Sequence, residues 1–489
     1  MKYEPVIGLE VHCQLQTATK IFSPEPAVFG GEANTQVDPI TLGHPGTLPV
    51  LNEHVVEYAV RMGLATHCTI APRSVFARKH YFYPDSPKGY QISQFDTPIC
   101  EHGYVAFDDE SGGKVVRKRI SITRIHMEDD AGKSVHDQDP YATLLDYNRC
   151  GTPLIEIVSE PDLRTPHEAY LYLKTLRQLV RYLGICDGNM EEGSMRCDAN
   201  ISVRPVGQEA FGTKAEIKNM NSLRNVERAI EYEIERQIEL LEAGGQVVQE
   251  TRLWDANKLE TRSMRSKEEA HDYRYFPDPD LPPVVFALED VEQMRTRLPE
   301  LPEARRARYV DEFGLPAYDA ALLTEERGVA EYVEAVVAAL DGHGDQAEAA
   351  KAASNVIMTN VLRVLKESDS EISRFPIEPE RLAGLIILRL ADQVNSSAAQ
   401  QVFEVMINDD RTAQSLAEAQ GLLQVSSAKV LLPVIEDVLE AHPKQVAQYQ
   451  SGKHGLIGFF IGQVMRVFPG SPDPKVVRQL LAQRLTENL

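Results

Sequence analysis

Three short segments in the first third of the chain have the side-chain alternation of β-strands, yet each puts acid or imidazole groups where a sheet normally puts core. In Val6 to His12, Glu10 and His12 share one face while Ile7, Leu9 and Val11 share the other. In Ile120 to Glu128, the face of Arg124, His126 and Glu128 opposes one carrying Ser121, Thr123, Ile125 and Met127. In Leu154 to Glu160, Glu156 and Glu160 point the same way. Two further segments repeat the pattern: Arg196, Asp198, Asn200 and Ser202 alternate with Cys197, Ala199, Ile201 and Val203, and Lys214, Glu216 and Lys218 alternate with Ala215 and Ile217. Any one such face is compatible with an ordinary solvated strand. Taken together, with Glu10, Glu128 and Glu156 set among apolar or β-branched neighbours, they suggest a sheet with one wet face lined for a hard cation and an anionic ligand.

At 489 residues the chain exceeds a single core and should divide into two to four domains. Residues 1–294 mix strands, Pro/Gly turns and two helices. The first helix is announced by Thr165-Pro166-His167-Glu168 and ended by Gly184; the second runs from about Ser222 to Ala243 and ends at Gly244. Ala-, Glu- and Leu-rich helical sequence follows in 295–408, and 409–489 reads as a last small helical bundle. The expected class is therefore α+β: a catalytic domain with a curved antiparallel sheet, a cradle, backed by helices, then an all-α domain and a helical tail.

Composition narrows the function. A formal charge of −22 argues against generic nucleic-acid binding, although between His442 and Arg484 six basic residues, Lys453 and Lys475 among them, face the single acid Asp473. The six cysteines form no CxxC pair, so neither a disulfide framework nor a thiolate metal site is indicated, and Cys13, adjacent to His12 on the opposite strand face, reads as core. The N-terminus enters a strand at once and no stretch is long and apolar enough for a membrane span, so the expectation is a cytoplasmic protein. There is no P-loop, no GxGxxG after a strand and no GxSxG elbow; any use of ATP must come from an uncommon fold.

Several motifs go beyond these patterns. Ile7–His12, Arg78–Asp85, Arg124–Lys133, Asp146–Arg149, Pro153–Asp162, Gly193–Asn200, Glu216–Ser222 and Asp272–Pro277 closely resemble the B subunits of bacterial GatCAB-type aspartyl/glutamyl-tRNA amidotransferases. A weaker match lies at Gly462–Met465. The resemblance spans the whole chain. It implies ATP-dependent phosphorylation of the side-chain carboxylate of Glu, or Asp, misacylated onto tRNA(Gln) or tRNA(Asn). Ammonia delivered by an amidase A subunit then displaces the phosphate, in a heterotrimer with a small C subunit. It implies catalytic and Mg²⁺-ligating roles for Glu10, His12, Glu128 and Glu156, with a backbone-bonded structural His12 as the alternative. It further implies nucleotide or substrate contacts for Lys79, Tyr81, Asp198, Asn200, Glu216 and Lys218, and tRNA contacts at Lys453 and Lys475.

The chain departs sharply from that family at one place. Many such subunits hold zinc with a CxC pair and a later CPxC, whereas here Ser23, Glu25, Asp38 and Thr41 stand at the four positions. A tetrahedral thiolate site cannot form from them, so no zinc is expected and packing and turn hydrogen bonds should hold this loop. Two rivals remain to be weighed. The archaeal E subunit shares the catalytic motifs but carries an insertion for which there is no room between Leu281 and Pro302. A non-catalytic tRNA-binding scaffold of the same fold is the other, and intact Glu10, His12, Glu128 and Glu156 speak against it.

Overall fold

The computed structural model describes residues 2–136, 138–266, 273–425 and 427–487; Asp272, at the head of the Asp272–Pro277 motif, lies outside them. The described chain forms two compact units, Met1–Pro302 and Glu303–Leu489.

Among the described residues the first unit is built on a nine-stranded sheet. Its strands in chain order are β1 (Tyr3–Gln14), β2 (Thr69–Ile70), β3 (Cys100–Asp109), β4 (Val116–Asp129), β5 (Pro153–Ser159), β6 (Met195–Pro205), β7 (Ala215–Lys218), β8 (Glu250–Asp255) and β9 (Glu260–Ser266). Their spatial order is β9-β8-β7-β6-β1-β5-β4-β3-β2. Every neighbouring pair is antiparallel except β7 and β8, which are parallel. The sheet is thus mixed and not wholly antiparallel as expected from sequence. The cause is helix α3 (Leu223–Glu242), which carries the chain from the end of β7 back to the start of β8, the connection that parallel neighbours require.

Three helices, α1 (Glu53–Ala65), α2 (Pro166–Tyr182) and α3, pack behind the sheet, α2 touching β3 and α3 touching β6. Ile7, Leu9 and Val11 of β1 meet Leu173, Leu176 and Ile230 of these helices in one continuous core. Helix α2 begins where the sequence indicates. The Thr165 hydroxyl accepts from the Glu168 amide at 3.1 Å, and the Glu168 carboxylate reaches back to the Arg164 amide at 2.7 Å. Ser222 caps α3 in the same way, accepting from Asn225 N. Gly184 and Gly244, at φ +65° and +81°, end α2 and α3 in the left-handed region where a Cβ would be strained.

The β4 alternation breaks once. Val158 pairs with Arg124 but Ser159 pairs with Ile122, so Thr123 is an extra residue, a bulge. Ile120 and Ile122 are therefore buried along with Ile125 and Met127, whereas Ser121 and Thr123, expected on the Ile125 face, are not in that core. The freed Thr123 hydroxyl donates to Glu160 at 2.7 Å, and Glu160 lies just past the end of β5.

The described residues of the second unit are helical from the helix Pro302–Asp311 to Glu487 apart from short turns and a two-residue parallel pairing of Gln424–Val425 with Ser471–Pro472. It has two cores. One joins side chains from Tyr309 to Ala417, so the helix Ala413–Ala419 packs with the preceding helices; the other joins Leu431 to Leu485. Among the described residues no helix is long and apolar enough to cross a membrane.

Candidate active site

Cross-strand register, which no linear pattern contains, assembles the site on the wet face of the sheet. His12 of β1 lies opposite Arg196 of β6 on one side and Glu156 of β5 on the other, and Glu156 lies opposite His126 of β4. Arg196, His12, Glu156 and His126 thus form one row across four strands. A second row sets Asp198 opposite Glu10, and a third sets Glu216 opposite Asn200, which faces Gly8. Glu128 enters beside the first row, opposite Leu154.

The rows separate the acids into two groups. His12, Glu128 and Glu156 each offer one donor atom within 4.8 Å of the others, and so do Glu10, Asp198 and Glu216. The expected set of Glu10, His12, Glu128 and Glu156 is therefore not gathered into a single donor group: Glu10 sits with Asp198 and Glu216, its carboxylate accepting from Asn200 Nδ2 at 2.9 Å. Lys218 Nζ pairs with Asp198 and lies 3.1 Å from Glu216, so a side-chain cation already neutralises part of this second group. Two carboxylates and an imidazole this close together are a donor set that suits a divalent cation, and the first group has no lysine in it.

A small three-stranded sheet, Phe276–Pro277, Ala77–His80 and Tyr90–Ser93, braces the first group. Ser93 Oγ donates to Glu128 Oε1 at 2.6 Å and Gln91 Nε2 to Glu128 Oε2 at 3.0 Å. His12 Nε2 is 3.3 Å from Glu156 Oε2. His126 Nε2 lies 3.1 Å from Glu128 and 3.3 Å from Glu156. Burial opposes charge on His126, but the hydrogen bonds to Glu128 and Glu156 outweigh it and raise its pKa to about 9. Burial likewise opposes ionisation of Glu156, yet His12 and His126 hold its carboxyl well below the usual range. Glu10 differs: burial first, then Glu156, Asp198 and Glu216, push its carboxyl up.

A cavity of about 470 Å³ opens over part of this face, while Glu10 and Asn200 line a separate one. His12, Glu128, Asp198 and Lys218 line the first together with Lys79, Tyr81 and Arg196. Lys79 stands with Nζ 5.3 Å from the centre of the Tyr273 ring, and Glu128 and Glu156 keep its pKa raised against the effect of burial. Tyr81 stacks on Tyr83 at the exposed rim. Asp130 anchors Arg196 at 2.8 Å and also accepts from Gln14, fixing the guanidinium at one end of the row. Sequence reasoning placed His126 and Arg196 on the right faces without giving them a role, and it passed over Gln91, Ser93 and Asp130. Only the carboxylate-rich run Glu128-Asp129-Asp130 hinted at the last.

Two features lie away from the cavity's acid groups. Asp38 accepts from the hydroxyls of Ser23, at 2.8 Å, and Thr41, and from the amides of Ile40 and Thr41 at 2.8 and 3.1 Å, while Glu25 contributes its backbone carbonyl to Lys20 N. In the second unit Lys475 Nζ is 2.7 Å from Asp392 on an open surface, and Lys453 lies exposed just before the turn His454–Leu456.

Residues 5–292 match the GatB/GatE catalytic domain and residues 331–485 match the GatB domain. The aspartyl/glutamyl-tRNA(Asn/Gln) amidotransferase B subunit of Salinibacter ruber is 60% identical over 99% of this chain and 97% of its own. Its counterpart from Chlorobaculum tepidum is 57% identical over 99% of this chain and 100% of its own. With both domains matched in order and identity sustained from end to end, the chain belongs to the family of aspartyl/glutamyl-tRNA(Asn/Gln) amidotransferase B subunits.

Proposed function

We propose that the first unit phosphorylates the side-chain carboxylate of Glu-tRNA(Gln), Asp-tRNA(Asn) or both, and converts the acyl phosphate to the amide. The observation that carries this reading is the donor group His12, Glu128 and Glu156, two of whose members, His12 and Glu128, line one cavity with Lys79 and Arg196. Phosphoryl transfer to a carboxylate asks the protein mainly to position two anions and offset their charge. The γ-phosphoryl group of ATP moves to a carboxylate oxygen and ADP leaves; ammonia then attacks the acyl carbon, phosphate leaves, and one proton is lost from nitrogen.

In this reading His12, Glu128 and Glu156 hold Mg²⁺, with Glu10, Asp198 and Glu216 as the second acidic group. The ion when bound supplies charge neutralisation on the phosphates. Lys79 meets a phosphate or the substrate carboxylate from the opposite wall, where burial strengthens its field. Tyr81 offers a ring or hydroxyl at the rim. Asp198 and Lys218 meet the nucleotide in the cavity, and Asn200 holds Glu10 of the second acidic group. Ser93 and Gln91 keep Glu128 from rotating, so its carboxylate would present an already oriented oxygen to the ion.

The partners in this reading are an amidase A subunit that releases ammonia and a small C subunit, in the cytoplasm. The helical second unit holds the tRNA through Lys453 and Lys475. No zinc is needed at the Ser23, Glu25, Asp38 and Thr41 loop, because the Asp38 hydrogen bonds close it.

The test is conversion of Glu-tRNA(Gln) to Gln-tRNA(Gln) by the chain purified with its partner subunits, in Mg²⁺, ATP and ammonium chloride, beside Glu128→Gln. Ammonium bypasses glutamine hydrolysis and isolates the assigned step. ATP-dependent conversion that is lost in the variant is expected. Full activity of Glu128→Gln would leave the chain a tRNA-binding scaffold.

A further inference from the structure

His126 is the most enclosed side chain in the first row, 4% exposed, yet none of the chemistry above uses it. Its Nε2 reaches two carboxylates on two different strands, Glu128 Oε1 at 3.1 Å and Glu156 Oε2 at 3.3 Å. Its Nδ1 is buried and has no hydrogen-bond partner among the described residues. The geometry follows from the fold: His126 is directly opposite Glu156 in register and two residues before Glu128 on the same face of β4, so one ring spans both acids.

The two carboxylates are supported unequally. Glu128 also receives Ser93 and Gln91. Glu156 receives only the two histidines among the described residues, and one of them, His12, belongs to the same donor group. If His12 gives its Nε2 to a cation, it can no longer orient Glu156. His126 is then the remaining donor that ties Glu156 to Glu128.

We propose that His126 is a positioning residue for the cation site, its Nε2–H clamping Glu128 and Glu156 at the spacing the ion requires. A donor of this kind behind a ligating carboxylate fixes its orientation, and its loss typically weakens metal affinity by about 10–100-fold. The inference rests on the reading of the site as one for a divalent cation.

The test is Mn²⁺ binding, by the loss of the free-ion electron paramagnetic resonance signal and by calorimetry. It uses the full chain with its partner subunits, at one fixed pH and without nucleotide or tRNA. His126→Asn and His126→Gln separate the engaged nitrogen from bulk, because the Gln amide nitrogen falls near the place of Nε2 and the Asn amide nitrogen near that of Nδ1. The expected result is about 10–100-fold weaker binding in the Asn variant and near wild-type binding in the Gln variant, with melting temperatures that match. Wild-type affinity in the Asn variant, or equal loss in both variants with the fold intact, overturns the inference. Failure of the wild type to bind Mn²⁺ removes the cation reading itself, and this inference with it. A second measurement needs no variant: in Mn²⁺-loaded wild-type crystals, located by anomalous scattering, His126 Nε2 should donate to an oxygen of Glu128 or Glu156. A ring that ligates the ion directly, or one turned away from both carboxylates, overturns the inference.

Discussion

Asp38 ties together the loop that joins Ser23 to Thr41, and its removal is a calculable perturbation. In Asp38→Ala the hydroxyls of Ser23 and Thr41, 3.5 Å apart, can turn to each other. The amides of Ile40 and Thr41 cannot turn, and they lose a charged acceptor. At about 1–2 kcal/mol for each amide left unpaired, the cost is about 2–4 kcal/mol. For a unit of this size that is a fall in melting temperature of roughly 4–8 °C. Burial raises the Asp38 carboxyl, but the hydrogen bonds from Thr41, Ser23 and Ile40 outweigh it and hold its pKa below the ordinary value. A depressed acid contributes stability above its unfolded pKa, near 4, and that contribution is lost as pH falls through the lower folded value. The gap between wild type and Asp38→Ala should therefore be constant at neutral pH and close only below about pH 4. Scanning calorimetry across pH, with and without a chelator, measures both. A variant within about 1 °C of wild type, or a chelator-induced fall as large as the mutational one with a zinc ion per chain in the metal analysis, would refute the reasoning.

Other outcomes follow from the same geometry. Lys453→Glu with Lys475→Glu should weaken tRNA binding and reduce the salt slope by about one for each phosphate no longer neutralised; an unchanged slope would move docking elsewhere. Because the folded state raises the Glu10 carboxyl, ionised Glu10 costs stability at neutral pH. In metal-free buffer Glu10→Gln should melt higher at pH 7, and the gain should fade below the carboxylate range; a lower midpoint at neutral pH would contradict this. Glu233 is fully buried and accepts from Arg236, Gln237 and Thr261 behind the sheet. Glu233→Ala strands those donors and should cost about 3–5 kcal/mol in chemical denaturation, whereas a loss under 1 kcal/mol would mean that the donors re-pair.

Much of this site can be read from alternation because a strand's period is a rigid rule. Glu10, His12, Glu156, Asp198 and Glu216 all occupy the wet face that the spacing assigns them, and Cys13 lies in the core. The helices α2 and α3 are equally legible, since Thr165, Ser222, Gly184 and Gly244 are local signals that act within one turn. What cannot be read depends on contacts distant in sequence. That Glu10 joins Asp198 and Glu216 instead of Glu128 follows from register. The bulge at Thr123 is invisible because Ser121 and Thr123 have the polarity of either face. Gln91 and Ser93 reach Glu128 from a separate small sheet, and no spacing links residues more than thirty apart.

The row Arg196, His12, Glu156, His126 also governs how such a chain can change over generations. Each member reaches its neighbours because three antiparallel ladders hold one register. Deleting one residue from β1 would turn Glu10 and His12 into the hydrophobic core and Leu9 and Val11 into the cavity, a simultaneous loss of fold and chemistry. Length variation should therefore be confined to connections such as 110–115 and 206–213, which join strand ends outside the four-strand row. Point substitutions can accumulate within β1, β4, β5 and β6, but insertions there should be purged, so the frame of these strands would outlast the identity of most of their residues.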